Sequence, residues 1–177
     1  MRPLGVPSHR SGNSDFAFGV GGGTLVSLTG VPTELSQFVA VDVQGRRLGT
    51  IGPEGDYGGF DVTPHGDRIV VNTLRTSQSP WVLEPEGQQP RRLTFDDQFD
   101  VDPVIASDGS VYFVRRNGHA GLYRISIDGG AIQQLNSAAA YSLDDVSKDG
   151  AQVVYRRAAL APVAWLARTS SENDRVL

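Results

Sequence analysis

The chain has 177 residues, a formal net charge of -4, a pI near 5.3 and no cysteine. This acidic balance argues against a general binder of nucleic acid or of anionic membranes, because such a binder needs a basic face. The absence of cysteine excludes disulfides, thiolate catalysis and cysteine-ligated zinc. We therefore expect no nucleic-acid partner.

The chain begins with a polar tail, residues 1–15, which lacks the apolar stretch of a signal peptide. The longest apolar-leaning stretch runs from Ala158 to Ala167 and is interrupted by Pro162. A transmembrane helix needs about 20 apolar residues. We expect no membrane insertion, and the sequence leaves the compartment open.

Glycines mark a repeat along the chain. One series precedes strands rich in Val, Ile, Tyr and Phe at spacings of 43, 43 and 41 residues: Gly23, Gly66, Gly109 and Gly150. A second series recurs at spacings of 42 and 42 residues: Gly45, Gly87 and Gly129. A period of this length with four short strands per unit is typical of β-propeller blades.

Helical repeats can have a similar length, but the residue pattern favours strands. No window places apolar residues at i, i+3, i+4 and i+7 over two turns. The second strand of each unit is continuously apolar, as in Val111 to Val114. This pattern indicates burial on both faces of the strand, which stacked blades provide.

The repeat predicts an all-β fold, a β-propeller of about four four-stranded antiparallel blades. In chain order the blades are predicted at residues 16–51, 60–95, 101–135 and 143–167, followed by a polar C-terminal tail at 168–177. No fourth strand is recognisable in the last blade. Because four blades are the lower limit for a closed ring, we expect an open, partial propeller whose exposed blade edge invites self-association.

Two segments resemble a known family of repeats. Val41 to Gly52, followed by Gly55-Asp56-Tyr57, is similar to the opening of a WD40-like propeller of the TolB type, also called PD40. Arg92-Leu93-Thr94-Phe95, then Pro103 and Ser107-Asp108-Gly109, resembles the L-T … P-x-W-S-P-D-G signature of that family. The likeness covers roughly residues 16–167.

The chain also departs from the family pattern. Val62, Ile105 and Val146 stand where the family has Trp, Pro64 alone keeps the second proline, and His65 replaces the usual Asp. The resemblance implies bacterial, often periplasmic or extracellular, propellers that bind proteins. It also implies that similar propellers accompany protein-kinase, winged-helix or serine-peptidase domains in longer chains.

The residues offer little for catalysis or for metal and cofactor binding. The three histidines, His9, His65 and His119, lie in a polar tail and in two turns, and no G-x-S-x-G motif is present. We expect no catalytic residues, no cofactor and no metal. The acidic loop from Asp96 to Asp102 is the best alternative, because oxygen clusters suit Ca²⁺, although it lacks the ordered calcium-loop pattern.

The connections between blades share one face of a propeller with the connections between second and third strands. This face is predicted to carry acids, arginines and tyrosines of the kinds that recur at binding surfaces. Glu54, Asp56, Arg75 and Arg157 belong to the same predicted face. The candidate partner-binding residues are Tyr57, Asp97, Asp100, Arg115, Arg116, Tyr141, Asp144 and Arg156.

The sequence therefore predicts a non-enzymatic protein-binding propeller, with Tyr57 and Tyr141 as exposed anchors. Three alternatives stay open. The arginines can instead pair with carboxylates and tie blades together. The chain can be an accessory or sensor propeller of a kinase, a transcriptional regulator or an S9-type peptidase. Least favoured is a propeller hydrolase or lyase that uses the acidic loop.

Overall fold

The computed structural model describes residues 17–21, 24–29, 35–74, 78–84, 88–137, 140–157, 164–168 and 175–176. For 17–21, 24–29, 164–168 and 175–176 it describes the backbone alone. The described residues form sixteen β-strands and no helix, so the predicted all-β class is confirmed. Within these ranges there is no helix long and apolar enough to cross a membrane.

The strands form four separate antiparallel sheets, each with four strands in sequential order. We call these sheets blades 1 to 4. Blade 1 contains β1 (Ala17–Gly21), β2 (Thr24–Thr29), β3 (Ser36–Val41) and β4 (Arg47–Gly55). Blade 2 contains β5 (Tyr57–Val62), β6 (Ile69–Thr73), β7 (Pro80–Leu83) and β8 (Arg91–Arg92). Blade 3 contains β9 (Asp100–Ile105), β10 (Ser110–Arg115), β11 (Gly121–Ser126) and β12 (Gln133–Asn136). Blade 4 contains β13 (Ala140–Val146), β14 (Gln152–Arg157), β15 (Ala164–Arg168) and β16 (Arg175–Val176).

The blades are arranged as an open arc. The first strands contact one another in chain order, β1 with β5, β5 with β9 and β9 with β13, and they form the inner side of the arc. Connections between blades and between second and third strands lie on one side, which we call the loop face. The tight turns within blades lie on the other side, the turn face. The predicted open propeller of four blades is confirmed.

The repeating glycines occupy tight turns on the turn face. Gly66, Gly109 and Gly150 have φ angles of 74°, 82° and 67°, in the left-handed region that favours glycine. The amide of each donates to the carbonyl three residues earlier, at 2.8, 3.0 and 2.8 Å. Gly23 and Gly87 lie outside the described residues. The period of the sequence is therefore a period of turn geometry.

The second strands of blades 2 and 3 are buried on both faces, as predicted. In β10, Val111 and Phe113 belong to the apolar cluster shared with blade 2. Tyr112 and Val114 belong to the cluster shared with blade 4. A third cluster joins blades 1 and 2 around Phe38, which contacts the rings of Tyr57 and Phe60. Packing between the sheets thus forms a core along the arc.

Several observed strand limits differ from the predicted ones. The last blade has a fourth strand, because Leu166 and Trp165 pair with Arg175 and Val176. The first strands of blades 2 and 4 begin at Tyr57 and Ala140, three residues before the predicted starts at 60 and 143. The N-terminal tail, residues 1–15, and most of the C-terminal tail lie outside the described residues.

Candidate functional site

The loop face carries a buried ion pair at the end of β10. Arg115 Nε and Nη2 donate to the two carboxylate oxygens of Asp100 at 2.7 and 2.8 Å. Asp96 lies 2.7 Å from Arg115 Nη1, and the guanidinium lies 4.7 Å from the centre of the Tyr123 ring. The hydrogen bonds to Asp100 raise the pKa of Arg115 above its usual value. Arg115 thus joins the first two strands of its own blade and is not available as a direct partner contact.

The next residue, Arg116, points the other way and is partly exposed. Its Nε donates to the backbone oxygen of Tyr141 at 2.9 Å, and its Nη2 lies 3.2 Å from Asp102 Oδ2. The guanidinium also lies over the Tyr141 ring, 4.8 Å from the ring centre. Since Tyr141 is the second residue of β13, the inner strand of blade 4, Arg116 connects blade 3 to blade 4. Tyr141 nevertheless remains 55% exposed.

Asp102 lies beside this contact in an unusual backbone conformation. It is the only non-glycine residue with a positive φ, 53°, in the described part of the chain. Burial raises the pKa of Asp102, the Arg116 charge opposes that shift, and the charge of Asp144 adds to it. Such conformations cost about 1–3 kcal/mol and occur often at functional sites. The sequence did not single out Asp102 individually.

Arg156 and Asp144 form the matching ion pair in blade 4. Arg156 Nη2 donates to Asp144 Oδ1 at 2.8 Å, and Nε lies 3.1 Å from both carboxylate oxygens. Both charges also act on Asp102: the charge of Asp144 raises the pKa of Asp102, and the charge of Arg156 lowers it. Asp102, Arg116, Asp144 and Arg156 therefore form one charged cluster at the loop face, which we call the loop-face cluster.

The expectation that Tyr57 is an exposed anchor is wrong. Its side chain is 6% exposed, packs 5.0 Å from the Phe38 ring and donates its hydroxyl to the Pro53 carbonyl at 2.7 Å. Tyr57 is the first residue of β5 and belongs to the core between blades 1 and 2. Asp97 is exposed on the loop face, and Arg75 lies outside the described residues.

Exposed apolar side chains concentrate on the loop face. Of the seven exposed large hydrophobic residues in the described ranges, five lie there: Leu35, Leu74, Phe95, Phe99 and Tyr141. The other two, Val43 and Leu48, lie towards the turn face of blade 1. Sequence reasoning identified Tyr141 alone. The sequence did contain a signal for Phe95 and Phe99, because an aromatic residue next to or within an acidic loop does not serve to keep that loop soluble.

The carboxylates of the acidic loop are largely engaged by arginines. Asp96 and Asp100 contact Arg115, and Asp102 contacts Arg116. In the described residues, no group of three or more His, Cys, Asp or Glu side chains could hold a metal ion. The geometry of this loop is therefore that of a charge-paired connection between blades 2 and 3.

Ser107 and His119 do not form a catalytic pair. Ser107 lies in the turn before β10 and donates to the Lys148 carbonyl, whereas His119 lies in the connection after β10. A six-residue strand separates the two positions by about 20 Å at roughly 3.3 Å per residue. The His119 carbonyl accepts a hydrogen bond from Tyr123 Oη at 2.6 Å, which fixes the backbone of that connection.

Several solved structures are similar to this fold over most of the chain. TolB from Acinetobacter baumannii matches with a TM-score of 0.67 and 16% identity, over 88% of this chain and 40% of that chain. The fold is a β-propeller. A nidogen/laminin complex structure matches with a TM-score of 0.66 and 15% identity, over 88% and 60%. Oligogalacturonate lyase from Vibrio parahaemolyticus matches with a TM-score of 0.64 and 10% identity, over 87% and 48%.

The comparisons show the fold and not an activity. At these identities the likeness extends to the architecture alone, and the similar structures include a lyase as well as TolB. The chain spans less than two thirds of each of these solved chains. No protein-family model matches the sequence, and no curated protein matches it either.

Proposed function

We propose that the chain is a non-enzymatic protein-binding module whose partner docks on the loop face. The observation that carries the proposal is that five of the seven exposed large hydrophobic residues in the described ranges lie on that face, which also carries the loop-face cluster. Exposed apolar groups rimmed by charges are a feature of protein interaction sites. One of the similar structures is itself a nidogen/laminin complex.

The eight candidate residues from the sequence divide into proposed contact residues and buried supporting residues. Arg116 and Tyr141 form a stacked pair at the centre, and Asp97, Asp144 and Arg156 supply charges around it. Arginine and tyrosine are common hot-spot residues, because they combine a large contact area with directed hydrogen bonds. Tyr57, Asp100 and Arg115 act behind the surface: their side chains are buried and support the backbone from which the exposed residues project.

The proposal also applies if the chain is an accessory or sensor propeller of a larger protein, because the same face would then bind a domain or regulator. Hydrolase or lyase activity is the second candidate from the sequence. Ser107 and His119 lie at opposite ends of β10 and so do not supply a nucleophile–base pair for it. We therefore rank binding above catalysis.

The proposal is tested by capturing partners from a lysate of the source organism on the immobilised chain. Each captured protein is identified, purified and titrated against wild type, Tyr141→Ser and Val43→Ser. Both substitutions remove an exposed apolar side chain, but Val43 lies on the turn face and is 76% exposed. We expect about tenfold or greater weakening for Tyr141→Ser, the usual effect of losing an anchor. Equal affinities for the two variants would contradict the loop-face assignment.

The Arg116→Ala variant distinguishes a role of Arg116 in partner binding from a role in holding blades 3 and 4 together. We expect partner affinity to fall by about 1–3 kcal/mol. Stability should change by about 1 kcal/mol or less, because the Arg116–Asp102 pair is partly exposed. If Arg116 serves only to connect blades 3 and 4, the melting temperature will fall and the affinity per folded molecule will stay unchanged.

A further inference from the structure

The outer edge of blade 2 and the β11–β12 turn of blade 3 enclose a groove of about 460 Å³. This volume lies in the range of about 300–1,000 Å³ that is usual for ligand sites. Its charged and apolar lining includes Arg91, Arg92, Phe95, Asp96, Asp128 and Ile132. Neither arginine belongs to the loop-face cluster.

The two arginines in the groove donate hydrogen bonds to uncharged acceptors only, among the described residues. Arg91 Nη2 donates to the Ile127 carbonyl at 2.7 Å, and Arg92 Nη2 donates to Ser79 Oγ at 2.9 Å. Within the described ranges, neither guanidinium forms an ion pair, and the buried Nε of Arg92 has no acceptor. The Nε of Arg92 has therefore lost hydration without gaining an acceptor, and the half-buried side chain has no carboxylate partner in the described ranges. An arriving anion would gain charge-assisted hydrogen bonds from this guanidinium.

The two carboxylates that line the groove already contact other arginines. Asp96 lies 2.7 Å from Arg115 Nη1, and Asp128 lies 3.0 Å from Arg68 Nη1. The negative charges of these two carboxylates are therefore partly neutralised, whereas the positive charges of Arg91 and Arg92 are not. In a chain with a net charge of -4, this leaves a local site that favours negative charge.

The same groove offers apolar contacts next to the charges. The Arg92 guanidinium lies 5.7 Å from the centre of the Phe95 ring, and Phe95 is 75% exposed. Ile132 is half-buried and packs against the cluster between blades 2 and 3. A ligand that combines a carboxylate with an apolar side chain would contact both kinds of lining.

We propose that this groove binds an acidic peptide segment of a partner protein. Its carboxylates would contact Arg91 and Arg92, and a neighbouring apolar side chain would lie against Phe95 and Ile132. A peptide fits better than a compact anion because β8 is the outer strand of its sheet, and outer strands accept extended peptides through backbone hydrogen bonds. The groove shares Phe95 with the loop face but contains none of the loop-face cluster residues, so its test does not depend on the role of that cluster.

The probes are two synthetic peptides, acetyl-Glu-Leu-Glu-amide and the uncharged acetyl-Gln-Leu-Gln-amide, titrated by calorimetry or NMR. We expect the acidic peptide alone to show saturable binding, which weakens as sodium chloride is raised. Failure to saturate at about 10 mM acidic peptide, far above a typical weak Kd of about 1 mM, would overturn the proposal. Equal binding of the two peptides would overturn it as well.

Variants locate the site. Arg91→Gln with Arg92→Gln should weaken the acidic peptide about tenfold or more, because both charge-assisted contacts are lost. Tyr141→Ala is the control and should bind the acidic peptide as wild type does, even where it fails to bind the loop-face partner. A folded Gln double variant with unchanged peptide affinity would place the binding elsewhere and reject the groove. The salt and peptide comparisons on wild type decide the matter if the double variant does not fold.

Discussion

Arg115 and Asp100 form a bidentate ion pair with both side chains withdrawn from solvent. Asp100 is fully buried, and its two oxygens accept from Arg115 Nε and Nη2 at 2.7 and 2.8 Å. The residues are also backbone neighbours across β9 and β10. The pair therefore fixes the loop-face end of the two innermost strands of blade 3.

We expect Arg115→Ala to lower the free energy of unfolding by about 3–5 kcal/mol, because it leaves the Asp100 charge buried and unpaired. Urea unfolding measures this effect. Arg46→Ala is the matched control, since Arg46 pairs with Asp42 but its side chain is 79% exposed. That control should change stability by about 0.5 kcal/mol or less. Similar urea midpoints for the two variants would show that the Arg115 pair is not structural.

Tyr57 should make the protein sensitive to alkaline pH. Burial raises the pKa of Tyr57 from 10.0 to about 12. The folded state therefore holds the proton while the unfolded state loses it, and stability falls as the pH rises from about 10 to 12. Tyr57→Phe should lose this contribution and also the hydrogen bond to Pro53. Unfolding curves at several pH values test the prediction, which fails if the difference between the two proteins does not change with pH.

Asp102 should lower the stability of the protein as the pH rises through the acidic range, whereas an ordinary ion-paired aspartate raises it. Burial raises the pKa of Asp102 above 3.8, so the folded state binds the proton more readily than the unfolded state. Stability is then lost as the pH rises through the interval between 3.8 and the raised pKa. Compared with Asp102→Asn, the wild type should become relatively less stable through that interval. A constant difference at every acidic pH would refute this.

Two glycines with similar backbone angles should respond differently to alanine. Gly150 and Gly45 have φ of 67° and 81°, but a Cβ on Gly150 would lie 2.6 Å from Tyr112 Oη, whereas one on Gly45 meets nothing within 4 Å. Tyr112 is buried and donates to the Gly150 carbonyl at 3.0 Å, so it cannot easily move. Gly150→Ala should cost about 1–3 kcal/mol more than Gly45→Ala, as for overpacking. Equal thermal shifts would contradict this account.

The features that followed from local chemistry were predictable. Gly66, Gly109 and Gly150 are fixed by turns that need a left-handed residue, so their spacing revealed the blade period. The continuously apolar run from Val111 to Val114 correctly indicated burial on both faces. These signals depend on each residue's own backbone or hydrophobicity and not on distant partners.

Features that depend on contacts with residues distant in the sequence could not be predicted in the same way. Arg175 and Val176 show no strand pattern of their own, and their pairing exists because β15 offers an edge. The sequence pattern predicts Tyr57 in a loop, whereas β5 begins at Tyr57 and its side chain belongs to the core between blades 1 and 2. The opposite roles of Arg115 and Arg116 could have been deduced, because side chains alternate along β10 and Arg115 follows Val111 and Phe113 on one side.

The ion pairs Arg115–Asp100 and Arg156–Asp144 are each contained within one blade. Arg68–Asp128 crosses from blade 2 to blade 3, but it is exposed and so contributes little. Each of these two blades holds both partners of its own ion pair, so adding or removing a neighbouring blade by gene duplication would separate neither pair. A new neighbour would have to reproduce the apolar packing and the polar contacts between blades, such as the hydrogen bond from Arg116 Nε to the Tyr141 carbonyl.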